Sequence, residues 1–292
     1  MRTSFSPVTY ALCFIVIAAA CWFNYFTVYK LWPVVNGDLN DFFFLWLLFT
    51  VFFFSGYIFT PGSRRKKLFL KYGWVIFIGP LLFALKVTLP YSKWMGQLLS
   101  SSRLHVFYQP AAWTGGLLLT LLSLFILHWI TQKKYGLFYI KRSKNYGVYF
   151  VLLLLMLPLL VLAAAQPSFQ QVYPKAKIVL QSFNTSTNVK DVVLFEFAYM
   201  LDFITIELFF RGMLIALLSR ALGVHCIIPV ALFYFSIHLG KPMMEAVSSF
   251  FGGLILGAIS FETKSIWGGW LVHCGIALCM ELLGFLYSPV HL

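Results

Sequence analysis

The sequence predicts an all-α fold: a polytopic transmembrane helical bundle of about 8–9 helices. Three observations carry that expectation. Of 292 residues, 61% are hydrophobic and only 11% charged, against about 25% charged in ordinary globular domains. Mean hydropathy is +0.85, and the apolar residues gather in runs long enough to cross a bilayer. Those runs lack the alternation that a β-barrel strand would show.

Nine apolar segments follow one another, at about 8–30, 41–60, 72–90, 110–131, 147–165, 192–218, 223–239, 243–261 and 265–287. The first holds Ala18-Ala19-Ala20-Cys21, a faint likeness to a lipoprotein cleavage site, but the apolar run continues past it into Trp22. It reads as a retained first helix. A polar connection after the second segment carries Arg64, Arg65, Lys66, Lys67 and Lys71. Lys86 lies near the end of the third, where a lysine can reach the interface. Another basic connection, over 132–146, carries Lys133, Lys134, Lys141, Arg142 and Lys144. The two basic connections fall on one side, which the positive-inside rule makes cytoplasmic together with the N-terminus. An odd number of spans then puts the C-terminus outside.

Residues 166–191 form the longest connection and are expected to face the exterior. Asn184-Thr185-Ser186 matches a glycosylation sequon by pattern alone. The chain therefore divides into 1–165, N-terminal helices without diagnostic residues; 166–191, an external loop; and 192–287, a core that holds the candidate chemistry.

The formal net charge of +13 sits mostly in short connections, so it reads as topology and contact with lipid headgroups, with no nucleic-acid partner. Cys13, Cys21, Cys226, Cys274 and Cys279 lie in or beside apolar segments without a C-x-x-C pair. They read as small apolar residues.

The sixth segment breaks the apolar pattern with Glu207 and Arg211. An ionisable group at membrane depth costs roughly 2.5–3.5 kcal/mol on insertion scales, so such residues mark function or a partner. At i, i+4 on an α-helix the two can pair. His238 and His273 follow in later segments. With Pro229 as a first helical residue, His238 falls about 13 Å into its segment, His273 about 12 Å and Glu207 about 16 Å from their cytoplasmic ends. The three thus share a depth. Gly253 and Gly257 between them form a G-x-x-x-G, which lets helices approach closely. A carboxylate and two imidazoles can activate water by general-base catalysis. The same Glu207, His238 and His273 could instead ligate a divalent metal such as zinc. Tyr234 and Glu281 are accessory candidates, Glu281 because it lies eight residues after His273 on roughly the same face. Glu245 suits a helix N-terminus, and His128 reads as interfacial.

At these residues the chain resembles the CPBP family of intramembrane endopeptidases, also called the CAAX-protease and bacteriocin-processing family. That family shows Glu-Glu-x-x-x-Arg, then Phe/Tyr-x-x-x-His, then His-x-x-x-Asn/Asp. Ile206-Glu207-Leu208-Phe209-Phe210-Arg211 matches the first motif in part, and Tyr234-Phe235-Ser236-Ile237-His238 matches the second. His273-Cys274-Gly275-Ile276-Ala277 keeps the histidine of the third. The departures are Ile206 and Ala277. The resemblance covers about 192–287 and implies hydrolysis of a peptide bond near the membrane. It implies Glu207, Arg211, His238 and His273 as catalytic residues, a membrane-associated peptide or protein as substrate, and residence in a bacterial inner membrane. Two other readings stand beside it. One is a catalytically inactive scaffold or bacteriocin-immunity protein of the same family; the other is a small proton-coupled transporter, against which the lack of an internal repeat counts.

Overall fold

A computed structural model describes residues 5–28, 30–33, 35–98, 101–130, 139–142, 146–181 and 189–287. Among them the chain is helical throughout, without a named strand, as the composition requires. Eight helical stretches are long and apolar enough to cross a membrane, and the chain is an integral membrane protein. The sequon at 184–186 and the lysines at 133 and 134 lie outside the described residues.

The helices are α1 (Pro7–Cys21), α2 (Leu39–Ile58), α3 (Gly62–Tyr72), α4 (Val75–Thr88), α5 (Tyr91–Leu98), α6 (Ser101–Ile130) and α7 (Gly147–Ala164). After them come α8 (Pro167–Val172), α9 (Lys177–Gln181), α10 (Val189–Glu207), α11 (Ala216–Leu222), α12 (Ile227–Ser236), α13 (Met243–Thr263) and α14 (Trp267–Tyr287). They form two compact units.

The first unit comprises residues 1–88, 123–141 and 208–266. Its centre is α12, every residue of which is buried. Small residues let neighbours close on it. Gly56 of α2 lies against the Pro229 backbone, where a β-carbon would overlap it. On α13, β-carbons at Gly253 and Gly257 would come within 3.3 Å of Ala231 and 3.1 Å of Ile227, so the expected close approach of helices is present. Phe49, Phe53, Phe83 and Phe210 ring Phe233 at centroid separations of 5.1–5.9 Å, the offset and edge-on packing that aromatic rings prefer.

The second unit comprises residues 89–122, 142–207 and 267–292. Here α14 packs on α7 and α10. Leu160, Ala164, Phe169, Tyr173 and Met280 form one buried cluster. Ala176, Val179 and Phe195 form another, beside Trp113.

Three sequence expectations need correction. The 61–72 connection is a helix, α3: Arg, Lys and Leu are good helix formers, and its run of cations masked that. The 166–191 loop contains two short helices, α8 and α9. Finally, α12 begins at Ile227, so Pro229 is its third residue, and it ends at Ser236, which leaves His238 in the following turn.

Candidate active site

The second unit holds two of the candidate residues, Glu207 and His273. Glu207 ends α10 with no exposed surface. His273 of α14 places Nε2 3.1 Å from Glu207 Oε1, within ion-pair distance. Gly269 sits one turn before His273, and a β-carbon there would overlap the Glu207 carboxylate. The neighbouring Gly268 leaves room in the same way for the Tyr149 ring of α7. Trp270 Nε1 donates to the Met200 carbonyl at 3.0 Å and ties α14 to α10. Phe203, one turn before Glu207, stacks parallel on the His273 ring at 5.5 Å. The imidazole is thus held between an aromatic face and a buried carboxylate. A carboxylate–imidazole pair in that setting can take up and return a proton.

The first unit holds Arg211, Tyr234 and His238. The helical path continues from Glu207 into eight π-helical residues, Leu208–Ile215, all buried. Arg211 lies in them at 1% exposure. The wider i→i+5 turns replace the α-helical i, i+4 geometry expected from the sequence, and such segments recur at functional sites. Arg211 Cζ stands 4.7 Å from the Tyr234 ring centre, a cation–π contact. On the other side, the Tyr234 ring meets His238 edge-on at 4.6 Å. His238 Nδ1 lies 2.9 Å from the Tyr234 carbonyl. A carbonyl only accepts, so Nδ1 carries the hydrogen, and in the neutral ring Nε2 is the lone-pair nitrogen.

Two residues missed in the sequence fix the His238 turn. Asn24, buried in the π-helical end of the first segment, donates from Nδ2 to the Leu239 carbonyl at 2.7 Å. Its Oδ1 accepts from the Leu31 and Trp32 backbone amides. Tyr25 OH donates to the Lys241 carbonyl at 2.7 Å. A polar residue in a first apolar run was the available signal, but the Leu239 and Lys241 carbonyls that Asn24 and Tyr25 hold are over 200 positions away.

Glu281 is engaged elsewhere. Its two oxygens accept from the backbone amides of Lys175 and Ala176 at 2.8 and 3.1 Å, and Glu196 turns its carboxyl toward it. It therefore pins the segment before α9 onto α14. Ile206 and Ala277 are both buried, so apolar side chains fill the two departing motif positions.

Glu207, His238 and His273 together are a two-histidine, one-carboxylate set of the kind that suits zinc. Among the described residues, neither unit by itself brings three ligating side chains together. The second unit holds only the Glu207–His273 pair, at hydrogen-bonding rather than metal-ligand separation.

Residues 188–279 match the family model described as type II CAAX prenyl endopeptidase Rce1-like. Glu207, Arg211, Tyr234, His238 and His273 all lie inside the matched stretch. Neither a curated protein nor a solved structure matches the chain.

Proposed function

We propose, on the match of residues 188–279 to the Rce1-like family model, that the chain is an intramembrane endopeptidase of the CAAX-protease family using Glu207 as general base. The observation that carries this reading is the fully buried Glu207 carboxylate 3.1 Å from His273 Nε2. In the proposed reaction a water oxygen adds to the scissile carbonyl carbon while its proton passes to Glu207. The C–N bond then breaks as Glu207 delivers that proton to the leaving amine. His273 orients the carboxylate and shares the transferred charge. Arg211, four residues on in the chain, stacks on Tyr234. By its match to the family's second motif, His238 is assigned to the water or to the developing oxyanion. The substrate is a peptide or protein segment held at the membrane.

The test is cleavage of a membrane-anchored peptide by the full chain in proteoliposomes. Glu207→Gln keeps the side-chain volume and removes the base. It is expected to lower kcat at least about 100-fold, in the range of general-base contributions, with an unchanged thermal midpoint. Cleavage at the wild-type rate would sink the assignment.

The buried Ile206 and Ala277 favour a second reading, a non-catalytic member of the family. Under it the wild type is inactive and Ile206→Glu with Ala277→Asn creates cleavage.

A further inference from the structure

The first unit contains a cavity of about 480 Å³ that the chemistry above does not use. Its walls are Tyr72 at the end of α3, Trp74 in the turn that follows, Ile78 and Leu82 of α4, the end of α6 from Ser123 to Ile130, and Met213 and Leu217. The volume is that of a small-molecule site, roughly 300–1,000 Å³, and Ser123 and Tyr72 supply its only side-chain hydroxyls. All but Tyr72 and Trp74 at the rim belong to helices of bilayer length. Trp74, Ile78, Ile126 and Ile130 are exposed along it, so the groove opens toward the space that hydrocarbon occupies. Its rim is continuous with α3, whose sequence Gly-Ser-Arg-Arg-Lys-Lys-Leu-Phe-Leu-Lys-Tyr places five cations beside three apolar residues. Phe69 and Leu70 stay 62% and 77% exposed, the pattern of a helix lying in the headgroup layer. Two contacts fix α3 in the unit: Arg64 Nη1 donates to the Leu222 carbonyl at 2.8 Å, and Tyr57 OH donates to the Arg65 carbonyl at 3.1 Å. A cluster of cations next to a spanning helix attracts anionic headgroups.

We propose that this groove holds one acyl chain of an anionic phospholipid whose headgroup rests on α3. A zwitterionic lipid offers the same chain without the net charge that α3 complements. The groove also meets the π-helical stretch of Arg211 through Met213, so an occupied groove would brace that stretch from the side.

The experiment titrates the detergent-solubilised full chain with phosphatidylglycerol or phosphatidylcholine brominated on the acyl chain. It follows quenching of the fluorescence that Trp74→Phe removes. The expected result is saturable quenching with a half-saturation at least tenfold lower for phosphatidylglycerol. Ser123→Phe and Leu82→Phe, which fill the groove, abolish the quenching. Arg65→Gln with Lys66→Gln keeps it but removes the preference between headgroups. That pair alters no groove residue, so it decides the question even where both filling variants fail to fold. Equal affinity for the two lipids in the wild type overturns the proposal. So does full quenching in a folded filling variant, or displacement of phosphatidylglycerol by an isoprenoid alcohol at lower concentration, which would assign the groove to a different chain.

Discussion

Asn24 shows how one side chain can hold a site that it does not touch. It is buried in apolar surroundings and satisfies three backbone groups, the Leu239 carbonyl and the Leu31 and Trp32 amides. Removing it leaves each of them to find another partner in a place that water reaches poorly, at about 1–3 kcal/mol per orphaned group. Asn24→Ala is therefore expected to lower the thermal midpoint and to loosen the 237–241 turn that carries His238. Cleavage should fall while Glu207 and His273 are untouched; a parallel assay of Asn24→Ala and Asn24→Asp in proteoliposomes checks it. Wild-type stability in Asn24→Ala would show that the turn stands without the clamp. The contrast with Glu207 is instructive. Glu207 was legible because a charge in an apolar run is costly, and the depth arithmetic pointed it at His273, which the structure places 3.1 Å away. The Gly269 cradle and the Asn24 clamp were not legible, because each depends on a partner that only the folded chain supplies.

At the scale of elements, close approach to α12 is the organising requirement, and glycine is how the chain meets it. The G-x-x-x-G of α13 was readable as a packing face, and the structure puts Gly253 and Gly257 on α12 as that motif suggests. The Gly56–Pro229 contact was not readable, since a lone glycine in a phenylalanine-rich helix carries no pattern. Adjacent glycines on α13 offer an internal control. A β-carbon at Gly253 meets Ala231 and Tyr234 at 3.3 Å, whereas one at Gly252 meets nothing within 4 Å. Gly253→Leu is expected to force α13 off α12 and to cost about 1–3 kcal/mol, the usual range for overpacking. Gly252→Ala should be neutral or slightly stabilising, because alanine is the better helix residue by about 1 kcal/mol. Thermal unfolding of the two variants in one detergent measures the difference. Equal midpoints would remove the packing argument. The helical character of α3 escaped the sequence reading for a different reason: its cations dominated the pattern, and helix propensity is a weak signal against them.

For the whole molecule, the number of membrane passages turns on how Val189–Ser236 is counted, and contacts inside the first unit bear on that. The stretch Val189–Ser236 is helical over 48 residues, about 70 Å at 1.5 Å per residue, more than twice the hydrocarbon thickness of roughly 30 Å. It turns at Gly223, whose φ of +60° suits glycine. One end of the unit gathers Thr9 with the Phe59 carbonyl, Arg64 with the Leu222 carbonyl, and Ile140 with Ser265. These sit beside the basic connections, on the side that the positive-inside rule predicts to be cytoplasmic. The other end gathers Asn24 with Leu239 and Tyr25 with Lys241. The path from Leu222 to Leu239 thus rises across the unit, and α13 brings it back to Ser265. Counting that stretch as two passages gives nine in all, with Ser6 and Tyr287 on opposite sides. Single cysteines at Ser6, Gly62, Gln170 and Tyr287 test this with an impermeant thiol reagent. The native cysteines are buried except Cys279, which is partly so, and contribute little labelling. Ser6 and Gly62 should label from the cytoplasmic side, Gln170 and Tyr287 from the other. Labelling of Tyr287 on the same side as Gly62 would mean an even count, with Leu222 and Leu239 on one side of the bilayer. The turn that holds His238 would then enter the membrane from the cytoplasm, against the shared depth that the sequence predicts for His238 and Glu207.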